Sequence, residues 1–362
     1  MAETPEPTSA DASDVGARAT DAGDATGADA PAAPSGAWHL AEVPCDFCGS
    51  TDTDVLLTGR DRAFGLPGTF AVVRCRACGL VRTNPQPTHE SLATAYPEAY
   101  SPYQGGTRSP RPPEGALRWA LVNVRGYPLG EPAGPVLQAL RGPWARRRLD
   151  HRRNVGYLPY SGEGRLLDVG CGAGRYLARM AAAGWTAEGL DASPTAVRVC
   201  REAGLICHQG TLPGADLEAG SFDAVTLWAA LEHVPSPLAT LRAARDLLRP
   251  GGRVLASVPN IESLAARHFG AAWYGLDLPR HLTHFSPATL ARHFEKAGLE
   301  VERVHQRARP TFTRHSYAWL ADETGKQRHR RLARSRLLVG LMAAAGRLLG
   351  RADDLVAIAR RP

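Results

Sequence analysis

The sequence predicts an α/β fold in which a doubly wound, mostly parallel sheet of seven strands follows a small cysteine module. Three observations support this prediction. A glycine-rich loop at 170–174 joins an apolar strand to a helix. Strand and helix patterns then alternate along the chain, as a sheet with helices on both faces requires. Upstream, two Cys-x-x-Cys pairs are separated by strand-like segments.

The strands are predicted from short apolar segments that end at Gly, Pro or a helix-start signal. Ser193-Pro194 and Ser286-Pro287 open two helices as N-cap and first helical residue. The predicted strands cover 166–169, 184–190, 205–207, 222–228, 253–258, 299–304 and 355–359. The helix that starts at Ser286-Pro287 covers 287–297, and two more helices cover 175–183 and 237–248.

Composition divides the chain into five segments. Residues 1–40 have almost no aliphatic or aromatic side chains, so we expect them to be disordered, because they cannot offset the entropy of ordering. The other segments are the cysteine module at 41–100, a linker and helical segment at 101–160, the glycine-loop domain at 161–310, and a helical insertion with a last strand at 311–362. Helical spacing within the linker and helical segment predicts helices at 116–125 and 135–158.

The charge is uneven along the chain. The formal net charge is +7, but the first forty residues contain seven acids against Arg18, which leaves +13 on the remainder. A basic body is compatible with binding to nucleic acid or to an anionic membrane. The positive residues are nearly all Arg and are scattered, which favours an ordinary solvated surface.

The paired cysteines are Cys45, Cys48, Cys75 and Cys78, and a Gly follows each pair. Two such knuckles separated by strands are typical of a four-cysteine zinc ribbon. Four thiolates complete the tetrahedral coordination of Zn²⁺ and leave no position for water, so the expected role is structural.

The other cysteines, Cys171, Cys200 and Cys207, are predicted to be small core residues in a reduced protein. The N-terminus lacks the pattern of a signal peptide, and no apolar run reaches the roughly 20 residues of a membrane span. We therefore expect a cytoplasmic protein.

The glycine loop has the features of a nucleotide cradle. Asp168 precedes glycines at 170, 172 and 174, and Asp191 follows the next strand, where a carboxylate can accept hydrogen bonds from both hydroxyls of a ribose. A dinucleotide fingerprint would need a glycine where Arg175 stands. At these residues the chain resembles the class I S-adenosylmethionine (SAM) dependent methyltransferases, whose first motif is D/E-x-G-x-G-x-G.

The resemblance implies a seven-stranded, Rossmann-like methyltransferase sheet with a reversed last strand, and a SAM site. Asp168 and the glycines would lie at the methionine part, Asp191 at the ribose, and the segment after the third strand at the adenine, although it lacks the acid that many relatives carry there. The expected SAM-binding residues are Asp168, Gly170, Cys171, Gly172, Gly174, Asp191, Ala192, Thr211, Leu212 and Trp228. The cysteine module with 80–87 and 96–100 resembles the zinc-ribbon front end of many bacterial methyltransferases of sugar and secondary metabolism.

The segment 231–235 follows the fourth strand, and ligands of open sheets bind at the carboxyl ends of strands, so His233 is expected to face the substrate. The pair Glu232-His233 also occurs in ubiquinone-type O-methyltransferases, where a further Glu supports a metal. Ala229 stands at that position, which argues against a catalytic divalent ion. A structural and a functional role for His233 are both open.

A second cluster, 273–285, contains aromatics, Arg280, His281 and His284 in a predicted irregular connection. We expect it to form the acceptor pocket, with His281 or His284 as the base and Arg280 orienting an anionic acceptor. The alternative is that Trp273 and Phe285 belong to the core and that the histidines cap the next helix.

The function predicted is methyl transfer from SAM to a small molecule, in particular to a hydroxyl of a sugar or natural-product intermediate. An RNA methyltransferase is one alternative, although the Pro-Pro-aromatic stretch of base N-methylation is absent at 228–232. A non-catalytic SAM-fold scaffold is another. The apolar, Arg-flanked segment 334–350 could pack into the core or act as a membrane-surface helix, a dimer face or a lid.

Overall fold

The computed structural model describes residues 38–96, 111–149 and 156–362. Nearly all of the predicted disordered tail lies outside the described residues, as do 97–110, at the junction of the module and the linker, and 150–155, in the predicted helix 135–158. The strands are β1 (Leu40–Ala41), β2 (Thr53–Gly59), β3 (Phe70–Cys75), β4 (Val81–Thr83), β5 (Gln86–Pro87), β6 (Arg165–Val169), β7 (Thr186–Asp191), β8 (Ile206–Gln209), β9 (Phe222–Trp228), β10 (Leu248–Pro259), β11 (Thr283–His284), β12 (Glu300–Arg307) and β13 (Asp354–Arg360). The helices are α1 (His89–Thr94), α2 (Gly115–Arg125), α3 (Pro135–Leu149), α4 (Arg175–Ala181), α5 (Pro194–Glu202), α6 (Pro237–Leu247), α7 (Leu264–Phe269), α8 (Pro287–Lys296), α9 (Pro310–Thr324), α10 (Gln327–Arg334) and α11 (Arg336–Leu348).

The largest sheet has seven strands in the order β12-β13-β10-β9-β6-β7-β8. Strand β13 runs antiparallel to both of its neighbours, and the strands from β10 to β8 pair in parallel. This topology confirms the predicted fold class and the reversed last strand. It also places the carboxyl ends of β6, β7 and β9 at one edge of the sheet, where a ligand site is expected.

The helices that follow these strands begin where the sequence predicts. The hydroxyls of Ser193 and Ser286 accept hydrogen bonds from the N–H groups of Ala196 and Thr289 and so cap α5 and α8. The predicted strand at 253–258 is longer, because β10 pairs with β9 from Leu248 onward across an irregularity in register.

Buried side chains pack on both faces of the sheet. On one face Leu241 of α6 and Phe294 of α8 are fully buried, and on the other face Leu177 of α4 packs with Leu121 and Leu149 of α2 and α3. Full burial of such a side chain contributes about 1.5–3 kcal/mol. The two helices that precede the sheet therefore form part of its core.

The cysteine module is built on the sheet order β11-β4-β3-β2. Strand β11 comes from the predicted irregular connection and pairs with β4 through Thr283 opposite Arg82 and His284 opposite Val81. Trp273 and Phe285 are 1% and 0% exposed and belong to the core. The alternative is therefore right for these two aromatics and wrong for the histidines, because Ser286 caps the next helix. The segment 273–285 is a packed bridge between the module and the large sheet.

The module also contacts helices of the large sheet. Asp46 accepts hydrogen bonds from the Ser236 hydroxyl and from the Leu238 N–H at the start of α6. The Phe47 ring lies 4.9 Å from the His293 ring of α8 and beneath the cationic groups of Arg292 and Lys296. The four-cysteine knuckles are therefore attached to the domain that carries the glycine loop.

One prediction for a helical segment needs correction, whereas the predicted C-terminal helical insertion agrees with the observed helices. The helix predicted at 135–158 ends at Leu149 in the described residues, and 156–158 are not helical. The segment 311–350 forms α9, α10 and α11, of which α11 buries Val339, Ala343 and Gly346 but exposes several leucines. Core packing therefore explains only one face of α11. Among the helices in the described ranges, none is long and apolar enough to cross a membrane.

Candidate functional site

The glycine loop lies at the end of β6. Gly170, Gly172 and Gly174 have φ angles of 72°, 52° and 75°, which side chains rarely allow. A Cβ atom at Gly170 would lie only 2.7 Å from the Cβ of Ala230, in the segment that follows β9. The absence of a side chain therefore brings the loop against the segment that carries Glu232 and His233.

Asp191 ends β7 beside this loop. Its Oδ2 atom accepts a hydrogen bond of 2.9 Å from the Gly172 N–H, and Oδ1 accepts one of 2.9 Å from the Ser193 N–H. Each carboxylate oxygen has a further lone pair, so the group can also accept from two hydroxyls of a ribose. Burial raises the pKa of Asp191, and the neighbouring Ala192 is exposed. The position fits the predicted ribose contact.

Asp168 lies deeper than Asp191, with 2% exposure. Its Oδ1 atom accepts a hydrogen bond of 2.6 Å from the Thr226 hydroxyl. Burial, reinforced by the charge of Asp191, raises the pKa of Asp168 to about 7. A cationic ligand next to this carboxyl would favour its ionised form.

The other expected SAM contacts differ in exposure. Thr211 is exposed, whereas Leu212 is 6% exposed and packs in the core, where its carbonyl accepts from the Thr240 hydroxyl. Trp228 is half-buried at the end of β9, with its ring 5.4 Å from that of Tyr176 and 5.3 Å from the Arg307 guanidinium carbon. Leu212 could therefore offer a ligand little more than the edge of its side chain.

The three isolated cysteines gather beneath the loop and are all buried. The Sγ atom of Cys171 lies 3.5 Å from that of Cys207 and 3.9 Å from that of Cys200, and the Cys200 thiol donates to the Gly172 carbonyl. They fill the space between α5 and the glycine loop, as expected of small core residues.

A second group of polar side chains is formed by the segment after β9 and by 273–285. The ligand atoms of Glu232, His233 and His281 all lie within 4.8 Å of one another. Glu232 is 1% exposed, and both of its carboxyl oxygens lack a hydrogen-bond partner in the described part of the chain. The rings of His233 and His281 are 4.5 Å apart. The fold thus joins residues that are nearly fifty positions apart in the sequence.

Hydrogen bonds orient the two imidazoles. The Nδ1 atom of His281 lies 2.9 Å from the carbonyl oxygen of Gly275, so it carries the hydrogen and leaves a lone pair on Nε2. That Nε2 atom lies 3.9 Å from Glu232 Oε1 and 3.9 Å from Asp277 Oδ2. The Nδ1 atom of His233 is held between the Arg280 carbonyl and the Tyr96 hydroxyl. His281 therefore presents a basic nitrogen next to two carboxyl groups.

Burial keeps this cluster neutral near pH 7. It raises the pKa of Glu232 to about 8, lowers that of His233 to about 4, and lowers that of His281 well below 6.5, with the neighbouring His233 adding to the last shift. Neutral imidazoles can accept a proton, and a neutral Glu232 avoids a buried unpaired charge.

The structure separates His284 and Arg280 from the roles expected for them. The His284 Nε2 atom is 3.2 Å from the Thr83 hydroxyl, inside the sheet contact of β11 with β4. Arg280 is 0% exposed, and its guanidinium donates to Asp61 and Asp277. A guanidinium already bound by two carboxylates cannot orient an anionic acceptor, so the expectation for Arg280 is corrected. Arg280 instead joins the module to 273–285.

Three groups in the described residues have side chains suited to metals: the four paired cysteines, the three isolated cysteines beneath the glycine loop, and Glu232 with His233 and His281. The Sγ atoms of Cys45, Cys48, Cys75 and Cys78 lie within 4.8 Å of one another, with closest pairs at 3.5 Å. Tetrahedral Zn–S bonds of about 2.3 Å place sulfurs about 3.8 Å apart, so the cluster fits zinc. Glu232, His233 and His281 form another group. Glu232 and His233 are adjacent in the sequence, and His281 is brought to them from a distant segment.

Glu232 was not among the catalytic residues predicted from sequence. Its signal was present, since it is part of the Glu-His pair after the fourth strand. Only the structure shows that it is buried beside His281 with both oxygens unpaired.

Comparison with known proteins places the chain in a family. Residues 144–304 match the family described as a methyltransferase domain. The chain is 39% identical to a ubiquinone biosynthesis O-methyltransferase of Xanthomonas axonopodis pv. citri over 153 residues, which cover 39% of this chain and 64% of that protein. It thus spans just under two thirds of the length of that relative.

A ubiquinone biosynthesis O-methyltransferase of Thiobacillus denitrificans is covered more fully. It is 34% identical over 202 residues, which are 52% of this chain and 81% of that protein. A solved SAM-dependent methyltransferase from Mesorhizobium loti overlaps with a TM-score of 0.40 and 21% identity, over 56% of this chain and 94% of that one. From the sequence matches and the topology of the seven-stranded sheet, the chain belongs to the SAM-dependent methyltransferases.

Proposed function

We propose that the protein transfers a methyl group from SAM to a hydroxyl of a small molecule. The observation that carries this proposal is the cluster of buried Glu232 and His281 with half-buried His233, on a segment packed against the glycine loop. SAM, when bound, supplies a methyl group on a positively charged sulfur. A hydroxyl acceptor must lose its proton as the methyl group moves, so the protein needs a base near the loop.

His281 is the proposed base. Its Nε2 lone pair can take the proton of the acceptor hydroxyl, and the resulting imidazolium lies 3.9 Å from the carboxyl groups of both Glu232 and Asp277. The Gly275 carbonyl fixes the tautomer through Nδ1. His233, whose ring lies 4.5 Å from that of His281, would also line the acceptor site. Positioning and proton removal are the contributions that these side chains make.

The SAM contacts are proposed to be the ten residues predicted from the sequence. Asp191 would accept from the ribose hydroxyls, because each of its oxygens has one lone pair left after the backbone contacts. Asp168, whose pKa is raised to about 7, would become ionised next to the cationic methionine part.

For the acceptor we favour a hydroxyl of a sugar or natural-product intermediate, which the resemblance of the cysteine module suggests. The relatives named for ubiquinone biosynthesis support oxygen as the methylated atom. A phenolic hydroxyl is therefore the second acceptor class to test. Zn²⁺ on Cys45, Cys48, Cys75 and Cys78 is proposed to hold the module together.

A methyl-transfer assay with labelled SAM tests the proposal. Purified protein is incubated with sugar nucleotides, with catechols and with total RNA in separate arms, and formation of S-adenosylhomocysteine is measured with and without His281→Ala. Transfer to a small-molecule arm that is lost in the variant supports the proposal. Transfer to RNA alone would establish the RNA alternative, and SAM binding without transfer in any arm would favour a scaffold. Parallel reactions with EDTA test whether the cluster requires a divalent ion.

A second proposal concerns the surface of α10 and α11. Leu337, Leu341 and Leu348 are 71%, 55% and 87% exposed. The short helix α10 alone carries four arginines. Exposed leucines beside clustered positive charge suit the surface of an anionic membrane, so we propose a peripheral contact there.

A further inference from the structure

A cavity of about 340 Å³ lies between the cysteine module and the segment that follows His233. Its rim is exposed at Pro44, Gly49 and Pro235. Its floor is buried and includes Arg82, Gln86 and Thr283. The volume is that of a small-molecule site, and the exposed rim gives a path of entry.

Arg82 is the unusual member of this floor. It is 2% exposed, and among the described residues only one of its three guanidinium nitrogens has a partner, since Nη2 donates to the Val43 carbonyl at 3.1 Å. The Nε and Nη1 atoms are buried without a hydrogen-bond partner. A buried guanidinium is almost always paired, because an uncompensated charge away from water is costly.

The neighbouring groups do not provide that partner. No carboxylate forms an ion pair with Arg82 in the described ranges, and no cysteine sulfur accepts from its two free nitrogens. Asp46 also lines the cavity, but its two oxygens accept from the Ser236 hydroxyl and the Leu238 N–H at the start of α6. That helix start offsets the negative charge of Asp46.

We infer that this cavity binds a small molecule with an oxyanion, either a carboxylate or a phosphate group, and that Arg82 holds this group. The free Nε–H and Nη1–H groups of Arg82 lie on different edges of the guanidinium plane, so each can donate one charge-assisted hydrogen bond to such an oxyanion. The floor lies opposite the exposed rim, so the anion would bury its charged end and leave its remainder toward the opening. Gln86 and Thr283 also line this floor. This site is distinct from the methyl-transfer cluster and does not rest on the proposed function.

Isothermal titration calorimetry of the full chain tests the inference, with inorganic phosphate and benzoate as separate probes against chloride at constant ionic strength. Saturable binding of phosphate alone identifies a phosphate site, and saturable binding of benzoate alone identifies a carboxylate site. We expect Arg82→Gln to weaken that binding at least tenfold. Arg74→Gln removes the same charge from an exposed position on β3 and should leave binding within about twofold.

A second variant tests the same inference even if Arg82→Gln does not fold. Pro235→Glu places a carboxylate at the rim, keeps Arg82, and should weaken anion binding several-fold by repulsion. Pro132→Glu adds the same charge at an exposed site away from the cavity and should have no effect. Absence of saturable binding of both probes, or binding unchanged by both Arg82→Gln and Pro235→Glu, would overturn the inference.

Discussion

The Nε2 atom of His281 lies 3.9 Å from the Oε1 atom of Glu232, and neither side chain is more than 8% exposed. The distance is too long for a hydrogen bond and short enough for strong electrostatic coupling in a buried site. An acceptor hydroxyl at His281 would therefore meet a base whose protonated form is stabilised by the Asp277 carboxylate, also 3.9 Å away, and by Glu232 once that carboxyl is ionised.

The first prediction concerns this pair. His281→Ala removes the proposed base and should lower kcat by about 10²–10⁴, the contribution usual for a positioned base. Glu232→Gln keeps the shape of the side chain but cannot carry a negative charge, so it should lower kcat only above about pH 8, where Glu232 is ionised. SAM affinity, measured by calorimetry, should stay within about threefold in both variants, because neither side chain contacts Asp191 or the glycine loop.

His284→Ala is the matched control, since it removes a nearby buried imidazole that bonds to Thr83. It should lower the melting temperature and leave kcat within about threefold. Full activity of His281→Ala would show that the base is His233 or that the acceptor needs none.

The pH profile is the second prediction. Burial raises the pKa of Glu232 to about 8, so the carboxyl is neutral below that pH and ionised above it. Since only the ionised form stabilises a protonated His281, kcat/KM should rise as the pH passes through about 8. Glu232→Gln should lack this limb. A limb with the same midpoint in both proteins would assign it to another group.

The same ionisation should affect folding. A folded-state pKa above the ordinary 4.5 of Glu means that stability from the neutral side chain is complete below about pH 4.5 and is lost as the pH rises through 8. Glu232→Gln should therefore have the higher melting temperature at pH 9 and little advantage at pH 5. Thermal unfolding followed by circular dichroism measures both.

The third prediction concerns the cofactor. Asp191→Ala removes the carboxylate proposed for the ribose hydroxyls, and each charge-assisted hydrogen bond contributes about 1.5–3 kcal/mol. Calorimetric SAM affinity should fall at least about tenfold. Asp216→Ala removes an exposed acid between β8 and β9, and this variant should bind SAM normally. Unchanged affinity in Asp191→Ala would place the ribose elsewhere.

The fourth prediction is one Zn²⁺ per chain on the four-cysteine cluster. Cys75→Ser should abolish stoichiometric zinc in elemental analysis, whereas Cys200→Ser, which alters a buried cysteine beneath the glycine loop, should retain it. Because Asp46 and Phe47 attach the module to α6 and α8, zinc loss should also lower the melting temperature. Protein prepared without chelators that contains no zinc would contradict the assignment.

The fifth prediction tests the surface of α11. The protein should sediment with phosphatidylglycerol vesicles at low salt and remain in solution with phosphatidylcholine vesicles. Leu337→Glu combined with Leu341→Glu should abolish sedimentation, while Leu140→Glu, at an equally exposed leucine of α3, should not. Equal binding by all three proteins would exclude this surface.

Much of the fold followed from local sequence signals. Strand β9 begins and ends where the apolar run 222–228 does, and the helix starts at Ser193 and Ser286 carry their caps in the adjacent residues. Such signals are local. Apolar and polar side chains alternate along one strand, and an N-cap side chain accepts a hydrogen bond from a backbone N–H three residues ahead. The glycine loop and the two cysteine knuckles were likewise visible, because each needs fixed spacing along the chain.

Contacts between distant segments decided the rest. No local pattern distinguishes Arg280 as a structural residue from an acceptor-binding one, and only its burial against Asp61, 219 positions away, assigns it. The same holds for Glu232, which gains its raised pKa from burial and its chemical partner, His281, from another part of the chain. The sequence by itself predicted the strands of the large sheet, the glycine loop and the spacing of the paired cysteines. The tertiary structure decided which polar groups are paired, which are left unpaired and which side chains meet, because burial and charge pairing depend on segments that the fold brings together.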